Sequence, residues 1–390
     1  MTQPVLVVLG LSATGLYVVR EAASAGALVY GFSDSMETAS SSRYLANRGP
    51  ETVVDMNQLE ARLSELASAH SSLGVIPTTD RHAEFLVDAC GRLPENIMFA
   101  DTYRNGSAVV CLDKAQIAEK AEKAGISTPW SHDLESGWPP SDTLPFPLIL
   151  KPKAIHQQRE WLKGKKLFLC SSETELDQIR KIPQFRPGEW TLQALVDGPE
   201  SNIIVTGCLR LEDGSIPVTF CGRKLRQYPP NFGSASLLVS AHDDEAVNTS
   251  HKLIETLNFC GITGIEFKRS ARDNKLYLIE INPRPGLWFG ATTNNGDLLI
   301  REQLRAWFGS QIEVESKKET KPVLWRYTFK DASSKLFHWK NKDRGVLPQP
   351  IIDIPRSHQR VWAVWSSRDP MPAMTEIGGY LRKAISRIVR

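Results

Sequence analysis

Segment 261–286, GITGIEFKRSARDNKLYLIEINPRPG, constrains this chain more than any other stretch. Two runs of alternating side chains flank a polar ARDN turn, the pattern of a β-hairpin. A turn near Asp273 sets Glu266 directly across from Glu280, and strand alternation puts Asn282 on the same face two residues further on. Like charges facing each other across paired strands destabilise the pairing, so this hairpin makes sense around a cation. Two carboxylates and an amide oxygen are hard ligands suited to Mg²⁺, with Mn²⁺ as an alternative, bridging substrate phosphates. Taken alone, the same glutamates also fit a solvated face beside Lys268 and Lys275.

The rest of the chain decides between these readings. Residues 4–9 form a continuous apolar run that stops at Gly10 and gives way to a helical pattern from Thr14 to Ala25. Further strands are expected from Ala27, around Val75 and between Leu93 and Asp101, with a helix starting near Arg81. Strand–helix alternation of this kind predicts a small, doubly wound, Rossmann-like domain over residues 1–110. Gly10 and Gly15, with Asp34 downstream, resemble part of a dinucleotide fingerprint. Ser12 stands in place of its second glycine, which favours a structural turn or an anion site.

Composition narrows the function classes. The 390 residues are 41% hydrophobic and 23% charged, enough for two or three folded domains. The net charge of +3 gives no general reason to expect nucleic acid. It hides an asymmetry: residues 321–390 carry 14 Lys/Arg against 5 Asp/Glu, a local +9 that leaves −6 for the remainder. Six cysteines lack the spacing of a redox or zinc motif and read as packed thiols. The start of the chain, without a cationic leader, reads as cytoplasmic.

From Cys111 the pattern changes. A helix opens at Asp113-Lys114 and stops at Gly125; an apolar strand ends in Lys151; another ends in Gln193-Ala194-Leu195-Val196 before Glu200. Antiparallel strands with interspersed helices follow, an α+β body. Taken in order with the 261–286 hairpin, these motifs resemble the ATP-grasp superfamily, over about residues 111–310. The resemblance implies an N-terminal Rossmann-like pre-ATP-grasp domain (1–110), an ATP-grasp body holding nucleotide between two sheets (111–310) and a small basic, Trp-rich C-terminal extension (311–390). It makes Lys114 and Lys151 ligands of the ATP phosphates. Gln193, Ala194 and Val196 become the adenine hinge, and Glu200 the ribose acceptor. Glu266, Glu280 and Asn282 take the magnesium roles, and Arg284 neutralises the transferring phosphoryl group.

The implied reaction is that of an ADP-forming carboxylate–amine ligase of the D-aspartate ligase type, with small-molecule carboxylate and amine as partners. Arg223, Lys224 and Arg226 form a second basic cluster, expected beside the acyl substrate or the γ-phosphate; alternation sets Lys224 and Arg226 on one face. Two departures stand out. Ala194 replaces a frequent glutamate, and the loop 153–166 is basic and bulky, so that Lys163, Lys165 and Lys166 become candidate phosphate contacts. Two other functions stay open: a degenerate ATP-binding sensor, and a dinucleotide-dependent oxidoreductase built on the N-terminal domain. A monomer and a homo-oligomer fit equally. The basic C-terminal helix, with Tyr380, Leu381, Ala384, Ile385 and Ile388 near one side, is expected to pack on the body; contact with a membrane or a protein partner is the alternative.

Overall fold

The computed structural model describes residues 3–47, 52–153, 162, 167–312, 321–341 and 347–388, with backbone alone for 383–388. The N-terminal part runs β1 (Val5–Leu9), α1 (Ala13–Ser24), β2 (Leu28–Phe32), α2 (Met56–Ala69), β3 (Leu73–Pro77), α3 (Asp80–Ala89) and β4 (Ile97–Met98). Its four strands pair in parallel in the order β2-β1-β3-β4, and the strand-helix alternation of the sequence is the reason. The glycine turn after β1 is closed by packing. Gly10 has φ +92°, and an added Cβ there would lie 2.7 Å from Thr78 Oγ1; one at Gly15 would lie 2.1 Å from the Gly10 carbonyl oxygen. Asp34, the candidate ribose ligand of a dinucleotide, is instead bonded to Arg81. The glycines are thus explained as turn and contact residues, as the missing second glycine suggested.

Helices α4 (Ser107–Leu112) and α5 (Lys114–Lys123) lead into a small antiparallel sheet. Asp113 caps α5 by accepting from the amides of Ala115 (2.9 Å) and Gln116 (3.1 Å), which fixes where Lys114 begins the helix. The small sheet contains β5 (Ser131–Asp133), β6 (Leu148–Pro152) and β7 (Phe168–Cys170); α6 (Glu173–Arg180) and β8 (Trp190–Ala194) complete the unit. Its order is β5-β8-β6-β7, and Trp190, Leu148, Leu150, Leu176 and Leu192 form its own core.

The large sheet begins with β9 (Ile203–Arg210), β10 (Val218–Tyr228) and β11 (Ser234–Ser240), passes α7 (Asp244–Thr256), and continues with β12 (Gly261–Arg269) and β13 (Leu276–Asn282). Helices α8 (Gly290–Asn294) and α9 (Leu299–Phe308) then precede β14 (Val323–Arg326), α10 (Thr328–Lys340), β15 (Gln359–Trp362) and α11 (Met371–Ile388). The seven strands run β13-β12-β9-β10-β11-β14-β15, all antiparallel except the last pair. The 311–390 region is therefore no separate body: β14 and β15 continue the large sheet. One core joins α1 to this sheet through Trp288, Phe289 and Leu304.

The chain ends are also tied by one buried anion. Asp369, fully buried, accepts from Arg20 Nε (3.0 Å), Ser42 Oγ (2.8 Å) and the Arg43 amide (3.0 Å), while Arg20 also donates to the carbonyls of Val364 and Asp369. Replacing Asp369 by Ala strands a largely enclosed guanidinium and is expected to cost about 3 kcal/mol. A thermal unfolding midpoint indistinguishable from that of the parent protein would show that this tie contributes nothing.

Candidate active site

A cavity of about 820 Å³ opens between the small and large sheets. Its floor is the hairpin β12–β13, where Glu266 pairs with Glu280 and Gly264 with Asn282, the register expected from the sequence. Asn274, at φ +56°, sits in the turn, and a one-residue register shift between Glu266 and Phe267, which skips Ile279, brings Glu266 opposite Glu280. Glu266, Glu280, Asn282 and Arg284 all line the cavity. Glu280 is open to the cavity yet ringed by protein; burial first, and the charge of Glu266 second, push its pKa up, against the pull of Lys224, Lys114 and Arg284. Among the described residues, no three His, Cys, Asp or Glu side chains gather into a ready-made metal cage. The facing carboxylates, only one of them bonded to Lys224, and the amide next to them fit a hard cation that completes its shell with water and phosphate.

Opposite the floor, Lys114 enters from the start of α5, Lys151 from the end of β6 and Gln193 from the end of β8. Lys151 Nζ donates to Gln193 Oε1 at 2.5 Å. Burial, reinforced by the like charge of Lys114, lowers the Lys151 pKa to about 8, although Glu280 and Glu266 oppose the shift. Burial lowers Lys114 too, against Glu280 and Asp80. The segment Gln193, Ala194, Leu195 and Val196 forms one wall. It is fixed by the Ala194 amide on the Trp130 carbonyl (2.8 Å) and the Leu195 amide on the Pro147 carbonyl (2.9 Å).

Two residues prominent in the cavity, Lys268 and Asp80, were given no role there from sequence. Lys268, two positions past Glu266 on the same face of β12, donates to the Val196 carbonyl at 2.8 Å and so links the two sheets. Its pKa is lowered to about 8 by burial. Strand alternation alone could have found it. Asp80, at the start of α3, accepts from Arg284 Nε at 2.6 Å and aims that guanidinium from the N-terminal domain. No local sequence signal connects residues 204 apart. Asn231, Phe232 and Gly233 form the lip of the cavity.

Four expectations need correction. Lys224 is almost fully buried and bonded to Glu266 Oε2 at 2.6 Å, so it supports the carboxylate pair and does not line the cavity. A bulge at Leu225 interrupts the alternation of β10. Arg226 consequently turns away from Lys224 and makes a two-pronged pair with Asp331 of α10 at 2.7 and 3.1 Å. Its guanidinium is occupied in holding α10. Arg223 lies outside the cavity lining and stands 3.6 Å from Asp353. Glu200, expected at a ribose, is buried behind the wall: Oε2 accepts from the Asn231 amide (2.7 Å) and Oε1 pairs with His338 Nε2 (2.9 Å). The candidate contacts Lys163, Lys165 and Lys166, and the question of a lid over 154–161, lie outside the described residues; Leu162 is described and lines the cavity.

With this geometry the chain is similar to several solved structures. One is an N5-carboxyaminoimidazole ribonucleotide synthetase solved with ADP, 16% identical, with a TM-score of 0.62 over 83% of this chain and 82% of that one. The N5-carboxyaminoimidazole synthetase of Staphylococcus aureus, also with ADP, gives 16% and 0.61 over 82% and 80%. An L-amino acid ligase of Bacillus licheniformis gives 16% and 0.57 over 83% and 79%. The fold is the ATP-grasp fold. No protein-family model matches the chain, and no curated protein matches it in sequence.

The Lys224–Glu266 pair predicts a measurable coupling. Lys224→Met removes the buried partner of one carboxylate and is expected to destabilise the protein by about 3 kcal/mol. Adding Glu266→Gln should restore more than half of that loss; strictly additive effects in the double variant would show that the pair is uncoupled.

Proposed function

We propose that this ATP-grasp fold serves an ADP-forming ligase, which activates a carboxylate with ATP as an acyl phosphate and passes the acyl group to an amine. The observation that carries this reading is the meeting of Glu266, Glu280, Asn282 and Arg284 on one side of a single cavity with Lys114 and Lys151 on the other. A carboxylate is a poor acyl donor because oxide is a poor leaving group. Its oxygen would attack the γ-phosphorus with departure of ADP. The amine nitrogen would then attack the acyl carbon, phosphate would leave, and the nitrogen would give up a proton. Phosphoryl transfer of this kind asks a protein mainly for positioning and charge neutralisation.

Each role follows from placement. Lys114 and Lys151 hold the phosphates from the roof. Gln193, Ala194, Leu195 and Val196 provide the wall for a flat base, with Ile149 and Leu195 as apolar surface. Glu266, Glu280 and Asn282 would hold Mg²⁺, which when bound neutralises phosphate charge and orients the terminal group. Lys224 holds the Glu266 carboxylate in place. Arg284, held at Nε by Asp80 and with Nη1 donating to the Pro285 carbonyl at 3.3 Å, would offer Nη2 to the transferring group or the acyl phosphate. The carboxylate and amine substrates fall to the open end between Arg284 and the N-terminal domain; their identities are set by side chains there and not by the fold.

Incubation with ATP, Mg²⁺ and pooled carboxylates and amines is expected to release ADP and phosphate. Glu280→Gln or Asn282→Ala should reduce that rate by about 100-fold or more. Release of AMP, parent rates in either variant, or nucleotide binding without turnover in every pool would overturn the ligase reading, the last in favour of a sensor.

The lowered pKa of Lys151 adds a pH signature. Near pH 8 this lysine is partly deprotonated in the free protein, and a bound triphosphate favours its charged form. Nucleotide binding should therefore take up protons, and affinity should fall as pH rises past about 8. Titration calorimetry at pH 8.5 in buffers of different ionisation heat reads the uptake directly. Lys151→Arg, whose guanidinium stays protonated, should abolish most of it; equal uptake in parent and variant would assign the proton elsewhere.

A further inference from the structure

The outer face of the C-terminal region has no role in the chemistry above. On α10, Asp331, Ser334 and His338 are buried at helical spacing, and they turn one side of the helix onto the large sheet. The opposite arc holds Phe329, Leu336, Phe337 and Trp339, all exposed, with Trp339 at 73%. At 100° per residue these four span about half of the helix circumference, with Lys330 and Lys335 at its two edges and Lys340 at its end. Beside it, α11 exposes Met371, Met374, Ile377 and Leu381 along one stripe. The two faces join where the rings of Phe329 and Tyr380 meet, centroids 4.9 Å apart. Of the stripe expected to pack on the body, Tyr380 and Leu381 are exposed, and the side chains of Ala384, Ile385 and Ile388 lie outside the described residues.

Charge says what this surface meets. The only acidic residue of α10 is Asp331, bonded to Arg226; the only one of α11 is Glu376, which accepts from the Tyr327 hydroxyl. Both carboxylates are thus engaged inward, and an apolar surface with basic flanks remains, within a region of net +9. Two copies joined through this face would set like charges against each other. A bilayer with anionic headgroups satisfies both features at once: aromatic and aliphatic side chains enter the acyl boundary while lysines reach phosphates. No helix among the described residues is long and apolar enough to cross a membrane. We propose that the α10–α11 face docks the protein on the surface of an anionic lipid bilayer.

The test is flotation of the full chain with vesicles of phosphatidylcholine, with and without added phosphatidylglycerol, at low and high salt. The protein should float with the anionic vesicles and lose binding as salt rises. A Leu336→Glu/Trp339→Glu variant should reduce the bound fraction by about tenfold with an unchanged melting temperature. A Lys335→Glu/Lys340→Glu variant, which leaves the apolar arc intact, should bind more weakly and lose its salt dependence. Failure to float, or equal binding by the apolar variant, overturns the proposal. So does a concentration-dependent dimer in light scattering that Leu336→Glu/Trp339→Glu dissociates, because it assigns the face to a second copy.

Discussion

Glu266 and Glu280 facing each other across β12 and β13 is the constraint around which the rest of the site is arranged. Two carboxylates in that register repel, and the fold answers from three directions. Lys224 reaches Glu266 from β10, across the intervening β9, Arg284 enters from the end of the hairpin, and Lys114 of α5 and Lys151 of the small sheet face them across the cavity. The answer is incomplete. Glu280 keeps a raised pKa, and Lys151 a lowered one, so the cavity holds charges that its own residues do not fully satisfy. An ion and a polyanion between the sheets would relieve both, and a carboxylate with a raised pKa facing an ammonium with a lowered one makes that cavity more than a packing gap.

A second layer of support comes from the C-terminal third. The inward edge of α10 takes hold of the cavity wall twice, through Asp331 on Arg226 and through His338 on Glu200. Glu200 in turn fixes the backbone of Asn231 at the cavity lip. Residues that a linear reading assigns to substrate are therefore used to bolt the extension to the body, and β14 and β15 add to that joint by continuing the large sheet.

What the sequence revealed follows the range of the interactions. The facing of Glu266 and Glu280 was legible because a hairpin is local and its period is two, although the one-residue shift between Glu266 and Phe267 leaves no mark in the sequence; the start of α5 was legible because Asp113 is its own cap. Arg226 was misplaced because a single bulged residue shifts a side chain to the other face without leaving a mark in the hydrophobic pattern. Glu200 and Arg284 depend on His338 and Asp80, 138 and 204 residues away, and no spacing rule spans such distances. Strands as short as β14 and β15, four residues each, give too little alternation to be told from loops.

The Asp369 tie has a bearing on how the protein is made. Arg20, Ser42 and Arg43 leave the ribosome more than 300 residues before the carboxylate that satisfies them. Until then the notch beside α1 must stay hydrated, because a dry guanidinium without a counter-ion is costly. The strand–helix domain is in this sense finished only by residues far downstream of it, and a chain cut before Asp369 is expected to leave Arg20 without its counter-ion.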